Sequence, residues 1–337
     1  MKNLLKIATA AVCLAVGVPQ FAKAEPVKIA LPVASLESLP IYIAEENGYF
    51  KKHGVDVDVI VSRGGGEAMK AYIAGEVNIV ATGFPEVGLM RAKGVDVELF
   101  FAQTSRVPFG MIARKDDGIK TVADLKGKTV AVTSPGSLTS NLARYFVKQA
   151  GLDPDKDVTF VSVGGGGELL GALKSKGADA AMLFEPFVTI GIQQGLADML
   201  VDVPAKLDAF SSSPLSISKA FLQKSPKEAQ GVYDALLEGL NFLHSNKAGT
   251  LAIAKKKFPS ANEKILDAAF TRMEPYYSKD GHFTKANVDQ TQKISVEMKI
   301  MPNAYPYDEV VAPMAREALE AARAIAPARD AAAPSAR

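Results

Sequence analysis

The chain repeats itself once, and that repeat constrains the fold more than any other feature. Residues 59–67, Val-Ile-Val-Ser-Arg-Gly-Gly-Gly-Glu, return at 160–168 as Phe-Val-Ser-Val-Gly-Gly-Gly-Gly-Glu, with Gly64 matching Gly165 at a spacing of 101. At that same spacing Glu67 meets Glu168, Ala71 meets Ala172, Asn78 meets Asp179 and Pro85 meets Pro186. A repeat of this length means one supersecondary unit built twice. Each copy reads as a β-branched strand (27–31; 129–133), a polar loop, and an amphipathic helix ending near Gly48 or Gly151. A second strand (55–61; 158–163) runs into the glycine turn. A short helix and a third strand (78–81; 180–184) follow, and that strand ends at a proline. Strands alternating with helices predict parallel βαβ units, buried on both faces, in two α/β lobes.

The 337 residues suit two domains of ordinary size. The first 24 read as a secretory signal: Lys2 and Lys6 precede an apolar run, and Ala22-Lys23-Ala24 forms a small-x-small cleavage site. Cleavage takes Lys+Arg from 39 to 36 against 37 Asp+Glu, so the mature chain carries about one net negative charge. That balance argues against a nucleic-acid partner. The single cysteine, Cys13, leaves with the signal, and with it any disulfide or thiolate chemistry. No later run reaches the 18 apolar residues of a membrane span. A periplasmic protein without stable membrane insertion is expected.

Beyond about Ser216 the pattern turns helical. Ser225-Pro226-Lys227-Glu228 and Ser260-Ala261-Asn262-Glu263 both fit a capping box. Val232, Leu236, Leu240 and Leu243 share one helical face, and Ile265, Leu266, Ala269, Phe270 and Met273 share another. These helices are expected to pack back on the first lobe. The alanine- and proline-rich end, 326–337, is expected to be a disordered tail.

Ligands of open α/β sheets sit beyond the carboxyl ends of the strands. Here those ends are rich in small and polar residues: loops 35–40, 63–66 and 82–85 in the first copy, and 133–141, 164–167 and 184–186 in the second. The loop at 133–141 leads into a helix whose apolar face is Leu142 and Phe146. Ser137 or Thr139 can cap it, and the free N–H groups beyond suit an anion as well as they suit an ordinary helix start. A helix dipole contributes only about 0.3–2 kcal/mol, whereas micromolar binding needs about 8. Charge-assisted hydrogen bonds must supply much of the rest. Arg63, at a strand end, and Arg106, near a lobe crossing, could pair an acid bidentately or simply be solvated. Phe84 and Phe184 could wall the cleft or pack the lobe edge. Glu37 and Glu185 could accept from an amine or a ring amino group. The glycine turns lack the order of nucleotide loops and read as tight turns or places of close backbone approach.

Signals for catalysis are thin. His53, His244 and His282 share no metal spacing, and neither H-E-x-x-H nor G-x-S-x-G occurs. Ser216-Ile217-Ser218-Lys219 matches S-x-x-K without its partner motifs. The chain is read as no enzyme, with no cofactor and no metal.

Several stretches resemble the solute-binding proteins of ABC importers, in the group for nitrate, sulfonates, taurine, bicarbonate and thiamine-pyrimidine precursors. They are 39–50, Leu-Pro-Ile-Tyr-Ile-Ala-Glu-Glu-Asn-Gly-Tyr-Phe; 54–57, Gly-Val-Asp-Val; 121–128, Thr-Val-Ala-Asp-Leu-Lys-Gly-Lys; the Gly136-Ser137 loop; and Glu185-Pro186. The resemblance implies a two-lobed, type II periplasmic-binding-protein fold, with Rossmann-like lobes joined by a two-crossing hinge. Lobe one would be 25–108 plus 214–325, and lobe two 109–213. It implies capture of a small organic anion (sulfonate, carboxylate or nitrate) between the lobes and delivery, as a monomer, to an ABC permease and its ATPase. A pyrimidine thiamine precursor or other aromatic solute, or an enzyme acting on such a precursor, are the alternatives on the same scaffold. The implied ligand positions are Ser35, Glu37, Ser38, Gly64, Gly65, Gly83, Phe84, Ser134, Gly136, Ser137, Thr139, Ser140, Phe184 and Glu185, to which the reading of the strand ends and charges adds Arg63, Arg106 and Gly165. The chain departs from the group in lacking the cysteine-rich motif of the pyrimidine-synthesising relatives. It also lacks a tryptophan common near position 184 in sulfonate binders.

Overall fold

The computed structural model describes residues 25–207 and 210–316; the expected export segment and the expected tail lie outside them. Ten strands form two five-stranded sheets. They are β1 Val27–Leu31, β2 Val57–Val61, β3 Ile79–Ala81, β4 Glu98–Phe101, β5 Gly110–Arg114, β6 Thr129–Val132, β7 Thr159–Ser162, β8 Ala180–Leu183, β9 Ala197–Asp202 and β10 Leu215–Ile217. The sheet orders are β2-β1-β3-β10-β4 and β7-β6-β8-β5-β9, so the repeat seen in sequence is a repeat of topology. The central strands are buried on both faces by helices, which explains their continuous Val/Ile/Ala runs.

The expected βαβ units are parallel in both lobes, and each sheet adds an antiparallel strand that the sequence reading did not anticipate. In the first sheet β1 runs parallel to β2 and β3, but β10 lies antiparallel between β3 and β4. In the second, β5 takes the same antiparallel place between β8 and β9. The chain leaves the first sheet after Phe101, enters the second at Gly110, leaves it after Asp202 and returns at Leu215. The first sheet's fourth strand, β10, is thus supplied after the chain has crossed to the second lobe and back, whereas β5 is the first strand laid down in its own sheet. Ser216 lies inside β10 rather than at the start of a helical region.

The C-terminal helices do pack on the first lobe. Val232, Leu236, Leu240 and Leu243 of Pro226–Ser245 join one core with Ile29, Ile41 and Ile43, and Ile265, Leu266 and Phe270 of Glu263–Met273 close it. Burying each such side chain contributes about 1.5–3 kcal/mol. Neither expected capping box forms. Ser225 makes no side-chain cap, because it also ends the preceding helix, Lys219–Lys224. The second helix begins two residues later than a Ser260 cap requires, and Asn262 accepts from the Ile265 N–H instead.

Candidate functional site

The carboxyl ends of β1, β3, β6 and β8 converge on the seam between the lobes. After β3, Thr82 and Gly83 lead into the helix Phe84–Ala92, where Glu86 reaches back. Its carboxylate accepts from the Thr82 hydroxyl and the Gly83 N–H, the reciprocal half of a cap. After β6, Thr133 opens the loop to the helix Leu138–Gln149. Ser137 is its N-cap, accepting from the Ser140 N–H. The hydroxyls of Thr133, Ser137 and Thr139 bond one another at 2.8–2.9 Å, and Ser137 also donates to the Ser134 carbonyl at 2.7 Å. The loop is therefore held by its own side chains.

The lobes meet over this seam. The Leu36 N–H donates to the Glu185 carbonyl at 2.9 Å, and the Gly66 N–H donates to Ser134 Oγ at 3.4 Å. Between them lies a cavity of about 30 Å³, walled by Glu37, Gly65, Gly83 and Glu86 from one side and by Thr133, Ser137, Leu138, Thr139 and Phe184 from the other. Pro32, Val33, Phe109 and Ser213 complete the wall. Phe184 is braced by Phe109 and Phe187, with ring centroids 5.8 and 5.6 Å away. A cavity this size holds little more than one water, so a solute enters only when the lobes part. A wider groove of about 560 Å³ lies outside, lined by Arg63, Gly64, Lys70, Ser134 and Gly164.

The cavity's charged groups are both acids. Glu37 and Glu86 are fully buried, and burial pushes each carboxyl up to about 7. The hydroxyls of Ser212 and Thr104 partly offset this at Glu37, and the Thr82 hydroxyl with the Gly83 and Leu138 amides partly offsets it at Glu86. No cation counteracts burial at either one. Oε1 of each carboxyl is left without a hydrogen-bond partner among the described residues. Glu185, equally buried, is raised by burial and held down by Arg272, whose guanidinium donates to it at 3.1 Å. Arg272 also donates to the carbonyls of Pro108 and Phe109, and to Asp202. One side chain from the first lobe's C-terminal helix thus ties down both chain crossings.

A family model described as NMT1/THI5 like matches residues 35–248. The chain belongs to that family. Among its relatives is a putative binding protein, YtlA, of Bacillus subtilis, 23% identical over 290 residues that cover 85% of this chain and 87% of YtlA. A solved protein of Bordetella bronchiseptica RB50 superposes with a TM-score of 0.79 at 26% identity, over 88% of this chain and 98% of that one. The periplasmic aliphatic sulphonate binding protein SsuA of Escherichia coli superposes at 0.68 and 19% identity, over 86% and 92%. The two-lobed, periplasmic-binding-protein fold is thereby shown.

The NMT1/THI5-like match spans every cavity residue except Pro32 and Val33, and stops short of Arg272. Of the positions expected from sequence, Glu37, Gly65, Gly83, Ser137, Thr139 and Phe184 line the cavity. Arg63, Gly64 and Ser134 line the outer groove. The others lie off both walls. Phe84 turns inward to the first lobe's core with Val80 and Val87. Arg106 lies over the Tyr276 ring, 5.9 Å from its centroid. Glu185 turns to Arg272. Ser35 and Ser38 are buried beside Tyr42, and Ser140 is buried behind the Ser137 cap. Gly136 sits at an exposed turn with φ +73°, and Gly165 precedes the helix Gly166–Lys174. The 133–141 loop named from sequence holds Thr133 and Leu138, but sequence reasoning passed over Glu86 and Arg272 as functional positions. Glu86 had one signal, its place three residues after Gly83, where a first-turn acid reaches back to the cap.

Proposed function

We propose that this chain is the solute receptor of an ABC importer, working in the periplasm as a monomer and delivering its solute to a membrane permease driven by an ATPase. One observation carries the reading. Two lobes of matching topology, joined by two crossings, close on a cavity to which both contribute wall residues. Such a cavity must open to load and close to hold, as a carrier needs. The name of SsuA supports an organic anion as the solute class. The binding-protein relative YtlA and the binding protein SsuA support action by binding rather than by chemistry. Native mass spectrometry of protein purified from a periplasmic extract tests this directly. A stoichiometric small molecule that stabilises the protein and contracts it in solution scattering is expected. Failure to find any solute that changes the scattering envelope would refute the reading.

A further inference from the structure

The cavity contains two acids and no base, an unusual wall for a receptor of simple anions. Glu37 comes from the loop after β1 and Glu86 from the helix after β3; both are at least 97% buried and both face the cavity with Oε1 unsatisfied. Among the described residues no Lys, Arg or His lines the cavity; Arg272, which pairs with buried Glu185, is spent on that acid, Asp202 and two carbonyls. Beside Glu37 the acceptor Gln103 Oε1 also lacks a partner among the described residues, while the Ser212 and Thr104 hydroxyls are turned to Glu37 itself. Buried polar atoms without partners cost about 1–3 kcal/mol each, so this grouping points to a ligand that supplies donors.

The helix start on the second lobe strengthens the point. The Leu138 N–H, first in that helix, faces the Glu86 carboxyl across the seam and favours its ionised form. The position that would attract a ligand anion already faces an acid of the protein itself. An oxyanion brought there without compensating charge meets a carboxylate at close range.

We propose that the solute presents a positively charged N–H group, an amine or amidine, to Glu37 and Glu86, and that simple oxyanions lacking one are rejected. The inference rests on the solute-receptor reading and adds the chemistry of one end of the solute. It carries a pH signature opposite to that of an anion receptor. With the lobes closed, burial pushes both carboxyls up to about 7. The titratable groups around Glu37 are Tyr277 and Glu185, with Arg272 behind the latter. Around Glu86 only the Thr82 hydroxyl and the Gly83 and Leu138 amides act. An N–H cation therefore binds more tightly as pH rises through 7, and a bare oxyanion more weakly.

Calorimetry on the full mature chain with matched pairs decides the matter: propanesulfonate against 3-aminopropanesulfonate, butyrate against 4-aminobutyrate, and 4-guanidinobutyrate beside them. At pH 8 the nitrogen-bearing member of each pair should bind at least tenfold more tightly. That advantage should shrink at pH 5.5, and in Glu37→Gln and Glu86→Gln. The wild-type pH series stands by itself if either variant fails to fold. Plain oxyanions binding equally well, an advantage unchanged by pH and by both substitutions, or no binding by any nitrogen-bearing probe would each overturn the inference. The receptor reading would survive any of these, since it is decided by the native-mass and scattering experiment.

Discussion

Closure of the lobes can be tested at a single hydrogen atom. Gly64 in lobe one faces Ser134 in lobe two, and a methyl group on Gly64 would lie 2.7 Å from Ser134 Oγ and 3.0 Å from its Cβ. The hydroxyl can rotate away, but the Cβ cannot. Ordinary contacts begin near 3.4 Å, so Gly64→Ala forces the lobes apart by several tenths of an ångström or strains both loops. Overpacking of this kind costs about 1–3 kcal/mol. The contact exists only when the lobes meet, so the whole cost falls on the closed form. The closed population at fixed solute should therefore fall by about 5- to 150-fold.

Gly64 also has φ +157°, a backbone state that suits glycine, so alanine is strained there whether the cleft is open or shut. That strain lowers Tm but cancels from the open–closed equilibrium. The double variant Gly64→Ala/Ser134→Gly separates the two effects: it should regain closure while keeping the lower Tm. Spin labels on cysteines at exposed Ile73 and Lys174, one per lobe, report the closed fraction by double electron–electron resonance. Equal closed fractions in wild type and Gly64→Ala, or failure of Ser134→Gly to restore closure, would refute the reasoning.

Three further outcomes are expected. Burial raises Glu37 and Glu86 from 4.5 to about 7, so their protonated forms stabilise the fold fully below pH 4.5, and that stability is lost as pH rises through 7. At about 1.4 kcal/mol per unit, each carboxyl accounts for up to about 3 kcal/mol, and urea unfolding of the ligand-free protein between pH 4.5 and 8 should show a decline that Glu37→Gln and Glu86→Gln each flatten. Arg272→Ala should cost about 3 kcal/mol in thermal unfolding, chiefly by stranding Glu185, so Arg272→Ala/Glu185→Gln should recover part of the loss; no recovery would show that the carbonyl contacts matter more. Gly239→Ala, which in a free helix would stabilise by about 1 kcal/mol, should instead destabilise, because its methyl would strike the Pro40 carbonyl of the neighbouring helix.

The parallel core was legible because its signals are local and doubled. Val27–Leu31 and 129–132 are β-branched runs bounded by polar loops, and Gly64 and Gly165 mark matching helix starts. The antiparallel strands were not. β10 is three residues long, and β5 and β4 are continuous apolar runs that no alternation distinguishes from buried helix. The partners of β10 lie across both crossings and those of β5 lie about 70 to 90 residues further along the chain, so their pairing rests on tertiary context that no local window contains. The same limit hid Arg272: in sequence it is a basic residue in the last turn of an amphipathic helix, a place where arginine needs no special reason.

The repeat says where the wall stands, and departures from the repeat say what it does. At the spacing of 101, Thr82-Gly83-Phe84-Pro85-Glu86 overlies Leu183-Phe184-Glu185-Pro186-Phe187. In lobe one the phenylalanine turns to the core and the acid after the proline faces the cavity. In lobe two the phenylalanine faces the cavity, and the acid before the proline turns to Arg272. A cleft made of two identical halves would present the same chemistry twice. Placing Phe184 where the first lobe has Gly83, and Phe187 where it has Glu86, gives the cleft two acids on one side and an aromatic ring among hydroxyls on the other, which is the least that a receptor needs to orient a small solute with two unlike ends.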